Sequence, residues 1–130
     1  GLPEIIFQRM PFPGPALATR IIGEVTPEKV ELVRKATRIV EQELAALQPF
    51  QAFAVLMNDM ATGVAEGQRK FGHIIIIRSV ESRDALTAQP SPVPWDVLTK
   101  LARRITTEIP SVVRVAYEIT SKPPATIEYI

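Results

Sequence analysis

Near the C-terminus, Arg114, Lys122, Thr126 and Glu128 combine residue types suited to holding an anion. A guanidinium fork and an ammonium point charge fit a phosphate monoester, and a carboxylate can accept hydrogen bonds from a hydroxyl or a base edge. Two readings are open. In one, Arg114 and Lys122 share a phosphate. In the other, Arg114 pairs with Glu118 or Glu128 across strands, a contact worth under about 1 kcal/mol if exposed. The run "SKPPATIEYI" (121–130) poses the same choice. A Pro-Pro pair cannot continue a strand, because each proline removes a ladder donor and fixes φ. The segment is then either an ordinary turn before a last edge strand or a stiff mount for Lys122.

Other chemistry is sparse. The single histidine, His73, has no ligand cluster in sequence, and there are no cysteines, so a metal site or a His- or Cys-based nucleophile is not expected. No Walker-type phosphate loop occurs, and the carboxylates form no obvious acid–base pair. Arg9 and Arg20 flank "PFPGPAL" (11–17), which is either a functional loop or a packed strap. Arg69 and Lys70 lie in "ATGVAEGQRKFG" (61–72), where glycines and cations make either an anion nest or a solvated hairpin loop.

The elements that must position these groups follow from periodicity. Residues 1–26 read as a Pro-rich arm and 27–130 as the domain proper. Thr26, Pro27 and Glu28 start a helix over 27–48, whose apolar stripe runs Val30, Val33, Ala36, Val40, Leu44 and Leu47. "QAFAVLM" (51–57) and "HIIIIRSV" (73–80) are strand-length apolar runs, and 94–109 is a second helix with Leu98, Leu101, Ala102, Ile105 and Ile109 inside. Residues 112–120 alternate, with Val113, Val115, Tyr117 and Ile119 on one face and Arg114, Ala116, Glu118 and Thr120 on the other. A last strand is expected over 126–129. The order helix, strand, strand, helix, strand, strand predicts an α+β two-layer sandwich, an antiparallel sheet with both helices on one face. The central runs are apolar on both faces, so the sheet needs cover on its other side, and a second copy of the chain is one source of it.

Composition sets the class. The 130 residues are 46% hydrophobic and 22% charged with a net charge of +1. That is ordinary globular composition, without the basic excess of a nucleic-acid or membrane-surface protein. Neither "AFAVLM" nor "IIII" is long enough to span a bilayer.

The segments "GLPEIIFQRMPFPGPALATRIIGEVTPEKVELVRKA", "TGV…RKF", "RSVESRDALTA", "VPWDVL…RRI" and "RVAYEITSKPPATIEY" resemble, in order, the C-terminal dimerisation domain of GMP synthase. The resemblance implies a cytoplasmic enzyme of purine biosynthesis that adenylylates xanthosine monophosphate (XMP) with ATP and aminates it with ammonia from glutamine. It implies that this domain forms homodimers and binds the XMP phosphate through Arg114, Lys122, Ile127 and Glu128; Arg9, Arg20, Arg69 and Thr126, singled out by residue type and place alone, are secondary candidates. It implies no cofactor here: ATP and magnesium belong to an ATP-pyrophosphatase domain, and ammonia comes from a glutaminase domain or subunit. The isolated chain is then expected to be inactive. Ala16, Glu66-Gly67, Gln89-Pro90 and Tyr129-Ile130 stand where the family usually has other residues. They motivate a second reading, a non-enzymatic paralogue that keeps the dimer scaffold without XMP.

Overall fold

The computed structural model of the chain describes residues 15–130. A short helix α1 (Pro15–Ala18) precedes α2 (Pro27–Leu44), which ends in a 3-10 turn (Ala45–Leu47). Then come β1 (Gln51–Ala65), β2 (Gln68–Glu81), β3 (Gln89–Pro90), α3 (Trp95–Glu108) and β4 (Val112–Tyr117). The Thr26 hydroxyl accepts the Lys29 N–H at 3.2 Å and Pro27 opens the first turn of α2, as expected from the sequence. Val30, Val33, Ala36, Ile39, Val40 and Leu44 bury its stripe. The helix tightens sooner than the periodicity suggests: Gln48 takes a left-handed φ of 49°, and Leu47 leaves the stripe for solvent.

β1 and β2 form one long antiparallel hairpin, paired from Gln51–Val80 to Ala65–Gln68, with an irregularity between Leu56 and Met60. The expected loop over 61–72 is therefore mostly strand. Only Glu66 and Gly67 turn, both at positive φ (53° and 76°), as a two-residue hairpin turn matched to strand twist requires. Gly63 and Gly72 read as loop residues, but the strands carry them because Val113 passes close by. A Cβ on Gly63 would lie 2.7 Å from the Val113 Cβ. One on Gly72 would lie 2.5 Å from the Val113 Cγ1 and 2.6 Å from the Ser111 carbonyl oxygen.

β2 is the centre of the sheet. β1 pairs with it along its length, β3 pairs antiparallel at Val80 and Glu81, and β4 pairs parallel from His73 to Ile77. The α+β two-layer class stands. Within it, β4 runs parallel to β2, against the antiparallel pairing expected from sequence, because α3 supplies the crossover that a parallel pair needs. The expected strand over 126–129 does not form: apart from a single bridge between Lys122 and Ala88, residues 118–130 are irregular.

Both helices cover one face. Ala54, Leu56, Ile75, Ile77 and Val112 from the strands pack with the α2 stripe and with Leu101, Ile105 and Ile109. Strand alternation puts Phe53, Val55 and Arg78 on the opposite face, where they are also buried. That face is covered in part by the chain itself. On the N-terminal side the Arg20 guanidinium lies over the Phe53 ring, while the adjoining backbone pairs edge-on with β1, Ile22 N–H to the Leu56 carbonyl at 2.9 Å and Leu56 N–H to the Arg20 carbonyl at 2.8 Å, and Ile21 joins the helix-side core. On the C-terminal side residues 126–127 fold onto Arg78. The two helices are also tied across their exposed side. Arg104 meets Glu43 at 3.0 Å and Glu108 at 2.7 Å, and Lys100 meets Glu43 at 3.4 Å, so part of the charge run on α3 is engaged instead of simply solvated.

Replacing Gly72 by alanine should destabilise the domain by about 1–3 kcal/mol, because the Ser111 backbone must shift to admit the methyl group. Urea unfolding measures this, and an unchanged midpoint would contradict it. The hydrogen bond from Arg104 holds the Glu43 carboxyl below its ordinary 4.5. A depressed carboxylate stabilises the fold above the unfolded value, and that contribution fades as pH falls through the folded one. Wild-type stability should therefore decline more steeply below about pH 4.5 than that of Glu43→Gln. Parallel pH profiles would show that the clamp contributes nothing.

Candidate functional site

The C-terminal ending is held by two arginines. Arg78, on β2, is 2% exposed, and its guanidinium donates to three carbonyls: Nε to Ile127 at 3.2 Å, Nη2 to Thr126 at 2.9 Å and Nη1 to Glu118 at 3.3 Å. Arg20 holds the Glu128 carboxylate, with Nη2 2.9 Å and Nε 3.3 Å from Oε1. The Arg20 guanidinium also lies 4.0 Å from the centroid of the Phe53 ring, a cation–π contact worth about 1 kcal/mol. The Thr126 hydroxyl donates to the Glu128 carbonyl at 2.5 Å. Glu118 is held below the ordinary carboxylate range, first by hydrogen bonding to Thr120 and further by the charge of Arg78. Arg78, Glu118 and residues 124–129 line a cavity of about 310 Å³.

Lys122 sits at the rim of the sheet, past the end of β2. Its backbone exchanges both hydrogen bonds with Ala88, at 2.9 and 3.0 Å, and its Nζ donates to the Ala85 carbonyl at 2.9 Å. The Lys122–Pro123 and Pro123–Pro124 peptides are both cis. The loop that receives Lys122 is itself ordered. Asp84 Oδ1 accepts from the Leu86 and Thr87 N–H groups at 3.0 Å, and the Ser82 hydroxyl donates to the Thr87 carbonyl at 2.6 Å. Those bonds hold the Asp84 carboxyl below its usual range, the Thr87 amide foremost. Beneath the loop, the Tyr117 hydroxyl donates to the Ser91 carbonyl at 2.6 Å, and the Ser79 hydroxyl to the Ser91 hydroxyl at 2.7 Å. Burial pushes the Tyr117 phenol up. Lys122 and Arg83 both line an open cavity of about 630 Å³ between this loop and the ending. An ammonium with one donor engaged keeps two for a ligand.

The sequence-derived candidates separate into groups. Lys122, Thr126, Ile127 and Glu128 lie on one short ending, together with Arg20, which touches Glu128. Arg114 is elsewhere: it pairs with Ile74 in register, and its Nε and Nη2 both donate to the Thr62 carbonyl, at 3.2 and 3.1 Å. Lys122 lies beyond Glu81, seven residues further along β2, or about 23 Å at the usual strand rise. One chain therefore does not bring Arg114 and Lys122 together. Nor does Arg114 pair with Glu128, which Arg20 takes. Arg69 is a ladder residue opposite Val64 near the hairpin tip, and the glycines around it form no nest. Arg9 lies outside the described residues. Sequence reasoning missed Arg78, whose place in an isoleucine-rich strand was its one signal: a cation amid such a run needs buried acceptors.

Among the described residues no group of three or more His, Cys, Asp or Glu side chains is placed to hold a metal ion. No described helix is long and apolar enough to cross a membrane.

These features define a class: an α+β domain whose second sheet face is covered in part by its own C-terminal ending, with a lysine and a carboxylate carried on that ending. The chain matches the family described as GMP synthase C terminal domain over residues 37–129, and it belongs to that family. It is 60% identical over 129 residues to a glutamine-hydrolyzing GMP synthase subunit of Archaeoglobus fulgidus. It is 57% identical over 131 residues to the protein of the same name from Pyrococcus abyssi, and 57% over 129 residues to that from Halobacterium salinarum. Each match covers 99% of this chain and 42% of the relative, so the chain spans less than half the length of these relatives.

Proposed function

We propose that this chain is the dimerisation and XMP-binding part of a GMP synthase. The parent reaction is the ATP-dependent amination of XMP to GMP. In this reading ATP and magnesium are handled by an ATP-pyrophosphatase domain, and ammonia by a glutaminase domain or subunit. The observation that carries the reading is the tethered ending: Lys122 beside an open cavity, and Thr126–Glu128 held by Arg78 and Arg20. An ammonium of this kind grips the phosphate, and Glu128 accepts hydrogen bonds from the nucleoside once it is released from Arg20. Arg114 stands apart within one chain, so it reaches the same nucleotide only if two chains come together or the ending moves. Pairing is favoured by large apolar side chains that stay exposed on the hairpin (Met60, Val64, Phe71) and beside β4 (Trp95, Ile119), and by β4 having β2 as its one ladder partner among the described residues.

XMP titration by calorimetry tests the site. The folded chain should bind XMP, and Lys122→Ala should weaken binding about 10- to 100-fold, the range for a charge-assisted contact. Arg103→Ala, exposed on α3, should leave it within about twofold, well below that range. A folded wild-type chain that does not bind XMP would favour the scaffold-only paralogue. Sedimentation equilibrium should give twice the 14.4 kDa chain mass, and a clean monomer at micromolar concentration would count against pairing. Purified chain mixed with XMP, ATP and ammonia should form no GMP, and turnover scaling with its concentration would overturn the division of labour.

A further inference from the structure

We infer that Arg78 is a positioning residue for the nucleotide site: without meeting the ligand, it sets the backbone of the ending in the form that binds. The inference rests on the reading of that ending as the XMP site. Three observations carry it. First, Arg78 is 2% exposed, on a sheet face whose neighbouring positions Phe53 and Val55 are apolar. Covering that face needs no charge, and a methionine would bury as much stem without the cost of desolvating a cation. Second, its donors diverge. Nη1 takes the Glu118 carbonyl on the chain entering the Lys-Pro-Pro turn, while Nε and Nη2 take Ile127 and Thr126 on the chain leaving it. One planar group thus clamps the base of the turn that carries Lys122. Third, apart from the Arg20–Glu128 ion pair and the Thr126 hydroxyl contact with the Glu128 carbonyl, which engage one side chain and one carbonyl of the ending, the backbone of the ending has no other support among the described residues. Among the described residues its backbone bonds stop at Ala125 N–H to the Ser121 carbonyl, and no backbone–backbone bond reaches residues 126–130. The planar, pre-organised fork of arginine suits this task where a lysine would supply a single point of attachment.

The test compares wild type, Arg78→Lys and Arg78→Ala by XMP calorimetry and by backbone ¹⁵N relaxation. Arg78→Lys keeps the stem and the charge and is expected to fold. It should weaken XMP binding about 10- to 100-fold, the cost of ordering one or two residues at the moment of binding. Order parameters for residues 125–130 should fall from the rigid range to below about 0.6 while those of the helices stay rigid. Added methylguanidinium should restore affinity to Arg78→Ala. Gly72→Ala is the control for simple loss of stability: it should bind XMP like wild type at temperatures where it is folded. In wild type, the Arg78 Hε resonance should be protected from solvent exchange and persist at saturating XMP. A folded Arg78→Lys that binds within about twofold of wild type, well below the expected range, overturns the proposal. So does an ending that stays rigid in that variant, or loss of the wild-type Hε signal on binding. Absence of XMP binding by wild type overturns the nucleotide reading, and the relaxation data then decide by themselves whether Arg78 orders the ending.

Discussion

A hairpin that is apolar on both faces cannot stand in water, and most of this structure follows from covering it twice. The inward side chains of β1 and β2 remove one face from water against α2 and α3. Burial on that side is the ordinary hydrophobic layer of a two-layer domain, worth roughly 25 cal/mol for each square ångström of apolar surface. The opposite face holds Phe53, Val55 and the stem of Arg78, and the segments that cover it have no regular structure of their own.

Covering a sheet with irregular chain raises a second constraint, because irregular backbone brings carbonyls that need partners once water is excluded. Arg78 meets it for the ending, and Arg20 adds a side-chain tether beside it. Arg78 reaches out of the sheet to carbonyls of the ending, and Arg20 reaches across Phe53 to the Glu128 carboxylate. The two ends of the described chain, 108 residues apart in sequence, are thereby joined over one face of the sheet. Covering the sheet and fixing the course of the ending become the same structural act. Side chains that point away from the clamp, such as that of Lys122, are left at a defined place on the rim.

The parallel pairing of β4 has a related consequence. Because α3 crosses over the sheet, β4 returns beside β2 in the same direction and delivers the chain to the end of β2 where β3 and the 82–88 loop already sit. The ending therefore starts next to that loop, and Lys122 can pair with Ala88. An antiparallel β4 would release the ending at the opposite end of β2, near Met60 and His73, with neither Ala88 nor Ala85 within reach.

Local chemistry was legible from sequence. The Thr26 cap, the α2 and α3 stripes, the strand character of the isoleucine run and the Lys-Pro-Pro turn all depend on neighbours a few residues away, so residue order determined them. So did family membership, since whole motifs recur in order. The extent of the hairpin was hidden because Gly63 and Gly72 look like loop residues until Val113 is seen to occupy the space their side chains would fill. The separation of Arg114 from Lys122 was hidden because it depends on the chain staying extended from β4 to the Lys122–Ala88 bridge instead of folding back at once into a last strand, which a local alternation pattern does not encode. Arg78 was hidden for the same kind of reason: its partners lie 40 to 49 residues away. Sequence by itself determined which groups could grip an anion. Which of them share a surface was decided only in the tertiary structure, where buried polar groups must find acceptors wherever the packed chain has placed them.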